Sequence, residues 1–133
     1  ISIALGFLLA LAKQSKRPGL QLPARGYIWL FRSLPLLVLL IFVYNLPQLF
    51  PATSVVLGDP FYAGLIALVI CETAYIAEIH RGGLISIHKG QAEAARALGL
   101  SFTGTQWRVV IPQALRVALP TLANEFISIV KLS

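Results

Sequence analysis

The chain has 133 residues, 57% hydrophobic and only 12% charged, with a net charge of +6 and a mean hydropathy of +0.79. A soluble domain carries about 25% charged residues, so a soluble enzyme, a disordered tail and a disulfide scaffold are all disfavoured. The single cysteine, Cys71, leaves no internal disulfide and no cysteine-built metal site.

The first apolar run covers residues 1–12. A bilayer crossing needs about 20 residues. A signal peptide wants its basic residues before the apolar stretch, and here they follow it. Residues 1–12 are therefore expected to be the end of a longer helix. The second run, 33–50, is long enough to cross when extended back to Tyr27. Pro35 near its start is expected to be tolerated where neighbours satisfy the freed carbonyl. Asn45, Pro47 and Pro51 mark its far end. The third run, 61–79, carries only Glu72 and Glu78 as charges. The fourth begins near Val117 and reaches Val130, interrupted by Glu125.

Charge placement gives sidedness. Lys13, Lys16, Arg17, Arg25 and Arg32 lie between the first run and the second, or at its edge. Arg81, Lys89, Arg96, Arg108 and Arg116 lie between the third and fourth. Of the eleven Lys and Arg residues, Lys131 alone falls outside these two groups. Residues 46–60 carry Asp59 and no Lys or Arg. The positive-inside rule then makes the two basic connections cytoplasmic and 46–60 external. The positive charge would suit nucleic acid in a polar chain, but basic residues flanking apolar runs favour a lipid membrane and no nucleic acid. Tyr27, Trp29 and Tyr62 suit helix ends at the interface.

The connection 81–116 is the most specific part. Gly82-Gly83 is expected to end the third helix, because paired glycines are poor helix formers. Residues 91–98 are Ala-rich and helical by propensity. Gly99 follows as a left-handed C-cap. Ser101 can cap a second helix reaching about Gln113, with Pro112 breaking or bending it. Ala92, Ala94, Ala95 and Ala97 would let another surface approach closely. The pattern alone fits equally an amphipathic loop resting on lipid headgroups.

Spacing adds a resemblance. Glu93-Ala94-Ala95, three residues, Gly99, nine residues, Val109, one residue, then Ile111-Pro112 resembles the EAA loop of the permeases of bacterial ATP-binding-cassette importers. Val109 and Ile111 are conservative swaps within that pattern. Residues 31–38, reading Phe-Arg-Ser-Leu-Pro-Leu-Leu-Val, resemble the opening of the second helix in the polar amino acid uptake subfamily. Residues 74–83, 89–99, 112–116 and 124–128 continue the likeness. His88 departs from it, standing where the family often has Pro, and is expected to loosen the start of the loop helix.

The resemblance implies an all-α membrane protein, the type I importer permease (MetI-like) helical bundle. Residues 1–12 would be the end of the first helix, 27–50 the second, 61–80 the third, 81–116 the cytoplasmic coupling loop and 117–133 the start of the fourth. Parts of the first and fourth helices and all of the fifth would be missing. It implies a transport subunit in the bacterial inner membrane rather than an enzyme, and no cofactor in this chain. ATP and Mg would sit on a partner ATPase dimer, and no Gly-rich Walker-type loop with Lys occurs here. The other partners would be a second permease subunit, as homo- or heterodimer, and a periplasmic or extracellular amino acid binding protein.

The coupling residues would be Gly90, Glu93, Ala94, Ala95, Gly99 and Pro112. Glu93 offers a charge to a cationic ATPase groove, or pairs with Arg96 at i+3 on its own helix. The substrate path would be Glu72, Tyr75 and Glu125. A carboxylate at the centre of a membrane helix costs about 2.5–3.5 kcal/mol on insertion scales and faces a bundle interior or a watery path. Glu72 could meet the ammonium of an amino acid, or be a structural carboxylate bonded to a neighbouring helix, and Glu125 has the same two readings. Glu78 and Arg81, at i and i+3, are expected to form a local ion pair. His80 and His88 lack a third metal ligand. The alternatives are a non-transporting membrane scaffold whose loop docks a cytoplasmic partner, and a permease for another small solute such as an opine, a methionine-like compound or a peptide.

Overall fold

The computed structural model describes residues 1–132; Ser133, at the end of the expected 117–133 segment, lies outside the described residues. The fold is all-α, with no strand among the described residues. The helices are α1 (Ser2–Gln14), α2 (Pro18–Ser33), α3 (Leu36–Leu49), α4 (Ser54–Leu57), α5 (Pro60–Ser86), α6 (Lys89–Ala97), α7 (Phe102–Thr105) and α8 (Ile111–Leu132). A 3₁₀ turn, Pro51–Thr53, precedes α4, and a π-helical turn, Gln106–Val110, joins α7 to α8. The chain divides into two units, Ile1–Ala77 and Glu78–Ser133, with α5 running through the boundary.

In the first unit the run expected as one helix over 27–50 is two. Leu34 is extended (φ −91°, ψ 131°), and α2 and α3 meet there at 104°. The cause is Pro35. Its ring disfavours the helical region for the residue before it, so Leu34 leaves the helix. Pro35 then caps α3, where its missing N–H costs nothing. By length and composition α5 can cross a membrane alone, whereas α2 and α3 reach that length only together.

The start of α5 is set by Asp59. Its Oδ1 accepts from the Phe61 N–H at 2.8 Å, with Pro60 at the first helical position. Ala63, Ala67, Cys71, Ala74 and Ala77 are buried along α5. Leu39 and Val43 of α3 join Ala63, Ala67 and Cys71 of that stripe in one core cluster. On α1, Gly6 comes so close that a β-carbon there would lie 2.7 Å from Ile76 Cγ2 and 3.0 Å from the Ala77 nitrogen. In lipid the apolar effect gives little drive between helices, so small residues that let backbones approach do the packing. Tyr27 has a partner within the fold. It is half-buried, its hydroxyl donating to the Ile70 carbonyl at 2.7 Å and its ring 4.6 Å from that of Phe31.

In the second unit the helix passes straight through Gly82-Gly83 to Ser86. Gly83 is buried against α8, where an added β-carbon would come within 2.5 Å of the Ala114 carbonyl oxygen. Close packing, worth more than glycine's weak helix propensity, explains the pair's second member.

Candidate functional site

The second unit holds every candidate residue of the loop. His88 keeps the backbone that a proline would impose, φ −62° and ψ 133°. Its Nδ1 also accepts from the Gly90 N–H at 3.3 Å. A β-carbon at 90 would stand only 3.2 Å from that nitrogen, so the bare glycine gives the ring its place. The start of α6, expected to be loosened by His88, is capped by it.

The end of α6 is fixed by a paired turn. Gly99 N–H donates to the Arg96 carbonyl at 2.9 Å and Leu100 N–H to the Ala95 carbonyl at 3.2 Å. This is a Schellman motif, which needs a left-handed residue at the position of Gly99. Gly99 has φ +88°, and no other described residue has a positive φ. Ser101 then caps α7, its Oγ accepting from the Gly104 N–H at 3.2 Å.

Ala95 is buried, while Glu93 and Ala94 face outward on α6. The Arg96 Nε donates to the Ala92 carbonyl at 3.2 Å, and no ion pair links it to Glu93 among the described residues. Gln113 Nε2 reaches Gln91 Oε1 at 3.3 Å, linking α6 to the first turn of α8. Pro112 was expected to break or bend the second loop helix. It does not break it: the helical backbone continues through Pro112. The π turn lies just ahead, where an α-ladder would lose the bond that proline cannot donate.

The loop also presents three large apolar side chains. Leu98 is 83% exposed, Phe102 69% and Trp107 65%. Their clustering around Gly99, in an otherwise basic connection, was the available signal in the sequence.

Glu72 and Tyr75 lie in the first unit and Glu125 in the second. Glu72 is 8% exposed on α5. Tyr75, one turn on, is half-buried with the Arg32 guanidinium 5.3 Å from its ring centroid. Glu125 is half-buried on α8. Glu78 and Arg81 form the expected pair, with Arg81 Nε and Nη2 at 2.9 and 2.8 Å from Glu78 Oε2. Cys71 is buried, its thiol near the Phe31 carbonyl.

A family model described as "Binding-protein-dependent transport system inner membrane component" matches residues 2–133. The chain belongs to this family. Its members are transport permease subunits of the inner membrane. The octopine transport system permease protein OccM of Rhizobium meliloti is 43% identical over 98% of this chain and 56% of its own length. The arginine transport system permease protein ArgU of Corynebacterium glutamicum is 35% identical over 98% of this chain and 44% of its own. The L-cystine transport system permease protein TcyB of Bacillus subtilis is 41% identical over 96% and 53%. Among solved structures, a chain titled "Crystal structure of an amino acid ABC transporter with histidines" superposes with a TM-score of 0.85 at 40% identity, covering 98% of this chain and 59% of that one. The family member thus spans about half the length of the curated relatives it matches. With that likeness the all-α bundle is the MetI-like importer permease fold.

Proposed function

We propose that the chain is the core of a multi-pass permease subunit that carries a polar amino acid inward across the bacterial inner membrane. The observation that carries this reading is the loop 88–113. A short helix, capped at both ends and held by Ala95 and Gln91, presents Glu93, Ala94 and Leu98 outward. The fit with relatives named for octopine, arginine and cystine supports the substrate class.

In this reading the loop seats on a cytoplasmic ATPase dimer, which holds ATP and Mg. Closure of the ATPases moves α6, and the unbroken backbone from α7 to α8 carries the motion into the membrane. Gly90 and Gly99 fix the two ends of α6, Glu93 and Ala94 meet the groove, Ala95 anchors the helix and Pro112 opens α8. A second permease subunit completes the path, and an extracytoplasmic binding protein delivers the substrate. Glu72, Tyr75 and Glu125 are the path residues, with Glu72 meeting the substrate ammonium. Residues 13–26 and 81–116 face the cytoplasm and 46–60 the outside, following the basic residues.

The test is uptake by the full-length permease, assembled with its ATPase and binding protein in proteoliposomes, against a panel of amino acids. Uptake that needs ATP and is confined to polar amino acids is the expected result. An assembled complex that takes up none of them refutes the reading. The octopine relatives favour one second reading, an opine as cargo, and uptake of an opine with exclusion of free amino acids would decide for it.

A further inference from the structure

The first unit contains a cavity of about 370 Å³ lined by Lys13, Arg25, Arg32, Trp29, Ser33 and Tyr75, together with Ile28. We propose that it holds the phosphodiester headgroup of an anionic phospholipid. Three observations carry the proposal.

The first is charge. Three lining residues are cationic and no acidic residue lines the cavity. No Asp or Glu occurs in the chain before Asp59, so every charged side chain of α1 and α2 is basic. Basic pockets between membrane helices at the cytoplasmic side attract anionic headgroups.

The second is direction. α2 meets α3 at 104°. The two helices therefore point in nearly perpendicular directions, and α2 does not continue the line of α3. On α2, Arg25, Trp29 and Arg32 fall at i, i+4 and i+7, a single stripe. Trp29 is 71% exposed, and Leu22 beside it is also exposed. A stripe of arginines around an outward tryptophan is the composition of a helix lying in the headgroup layer.

The third is that the site is built. The Gln21 amide holds the Lys13 carbonyl at 3.3 Å, joining the end of α1 to α2. Tyr27 fastens α2 to the Ile70 carbonyl. The Arg32 guanidinium is seated over the Tyr75 ring, and the Ser33 hydroxyl is held by the Trp29 carbonyl at 2.7 Å. Of the three cations, the Arg32 guanidinium is thus held in place before any ligand arrives.

The inference rests on the inner-membrane location of the family; because the cavity shares Tyr75 with the proposed substrate path, displacement of the lipid by a polar amino acid would overturn it. The full permease complex, purified in a mild detergent, is tested by native mass spectrometry with added phosphatidylglycerol, phosphatidylcholine or soluble glycerol phosphate. Phosphatidylglycerol is expected to be retained over phosphatidylcholine. Each lining cation is worth about fivefold in affinity, so Lys13→Gln with Arg25→Gln should lower retention by tenfold or more. Lys16→Gln with Arg17→Gln removes the same charge outside the cavity and should leave retention within about twofold. Unfolding midpoints in phosphatidylcholine, equal in all three proteins, guard against misfolding. Where the cavity pair unfolds early, Arg25→Gln alone is read in its place. Equal losses in both pairs, or no loss in either, would overturn the proposal in favour of a diffuse basic surface. Displacement of the lipid by equimolar glycerol phosphate would overturn it in favour of a soluble anion.

Discussion

Gly83 of α5 lies so close to Ala114 of α8 that a β-carbon at 83 would come within 2.5 Å of the Ala114 carbonyl oxygen and 3.3 Å of the Ala118 β-carbon. Its neighbour Gly82 has nothing within 4 Å of the same added atom. Gly83→Ala should therefore push two backbones apart and destabilise the fold by about 1–3 kcal/mol. Gly82→Ala should be neutral or stabilising by up to about 1 kcal/mol, since alanine is the better helix former. Thermal unfolding of the purified complex checks the pair. Equal midpoints would mean that the close approach does not exist.

Gly99 and Glu93 test the loop. A β-branched residue at φ +88° meets a steric cost of about 1–2 kcal/mol, and Gly99→Val should break the Schellman turn. Glu93→Arg reverses an outward charge and leaves the helix intact. Neither position lies in an apolar run, so both variants should reach the membrane in normal amount. Transport should be lost, through weak ATPase docking or hydrolysis that ignores substrate. Reconstituted complexes with normal docking, substrate-stimulated hydrolysis and uptake in both variants would refute the coupling role.

Tyr27→Phe removes one hydroxyl and keeps the ring against Phe31. The lost bond to Ile70 should cost about 0.5–1.5 kcal/mol. The expected readout is a lower unfolding midpoint together with faster proteolysis of the 15–26 segment. An unchanged midpoint and cleavage rate would show that α2 is held by packing alone.

Glu72→Gln keeps size and removes the charge. On the proposed path it should weaken substrate stimulation of ATP hydrolysis while the permease still assembles. Loss of assembly with normal affinity in the surviving complexes would instead mark Glu72 as a structural carboxylate, the other reading its burial allows.

Features with a local cause were legible in the residues. Gly99, Ser101 and the Glu78–Arg81 pair each depend on neighbours within a few positions, and the structure has all three. The spacing from Glu93 to Pro112 carried the family. What could not be read depends on partners distant in sequence, or on direction. A hydropathy sum over 27–50 is blind to a turn, and only the proline's effect on Leu34 marked it. Gly82 and Gly83 have one propensity and two environments, so helix propensity gave the wrong end to α5. The partner of Tyr27, the Ile70 carbonyl, lies 43 residues away and could not be read from its neighbours. The roles of Glu72 and Glu125 are not written in the sequence, because a membrane carboxylate has the same composition whether it meets cargo or a helix.

The π turn Gln106–Val110 sits within one continuous helical stretch from Phe102 to Leu132. A π turn is an α-helix with one residue too many, and one residue is about 100° of rotation. The outward face of α7 and the face of α8 that carries Glu125 are therefore related by a phase angle stored in five residues. Deleting one of them would leave composition, charge and hydropathy almost untouched. It would turn Phe102 and the Gly99 bend by more than a quarter revolution relative to α8, aiming the same loop at a different neighbour.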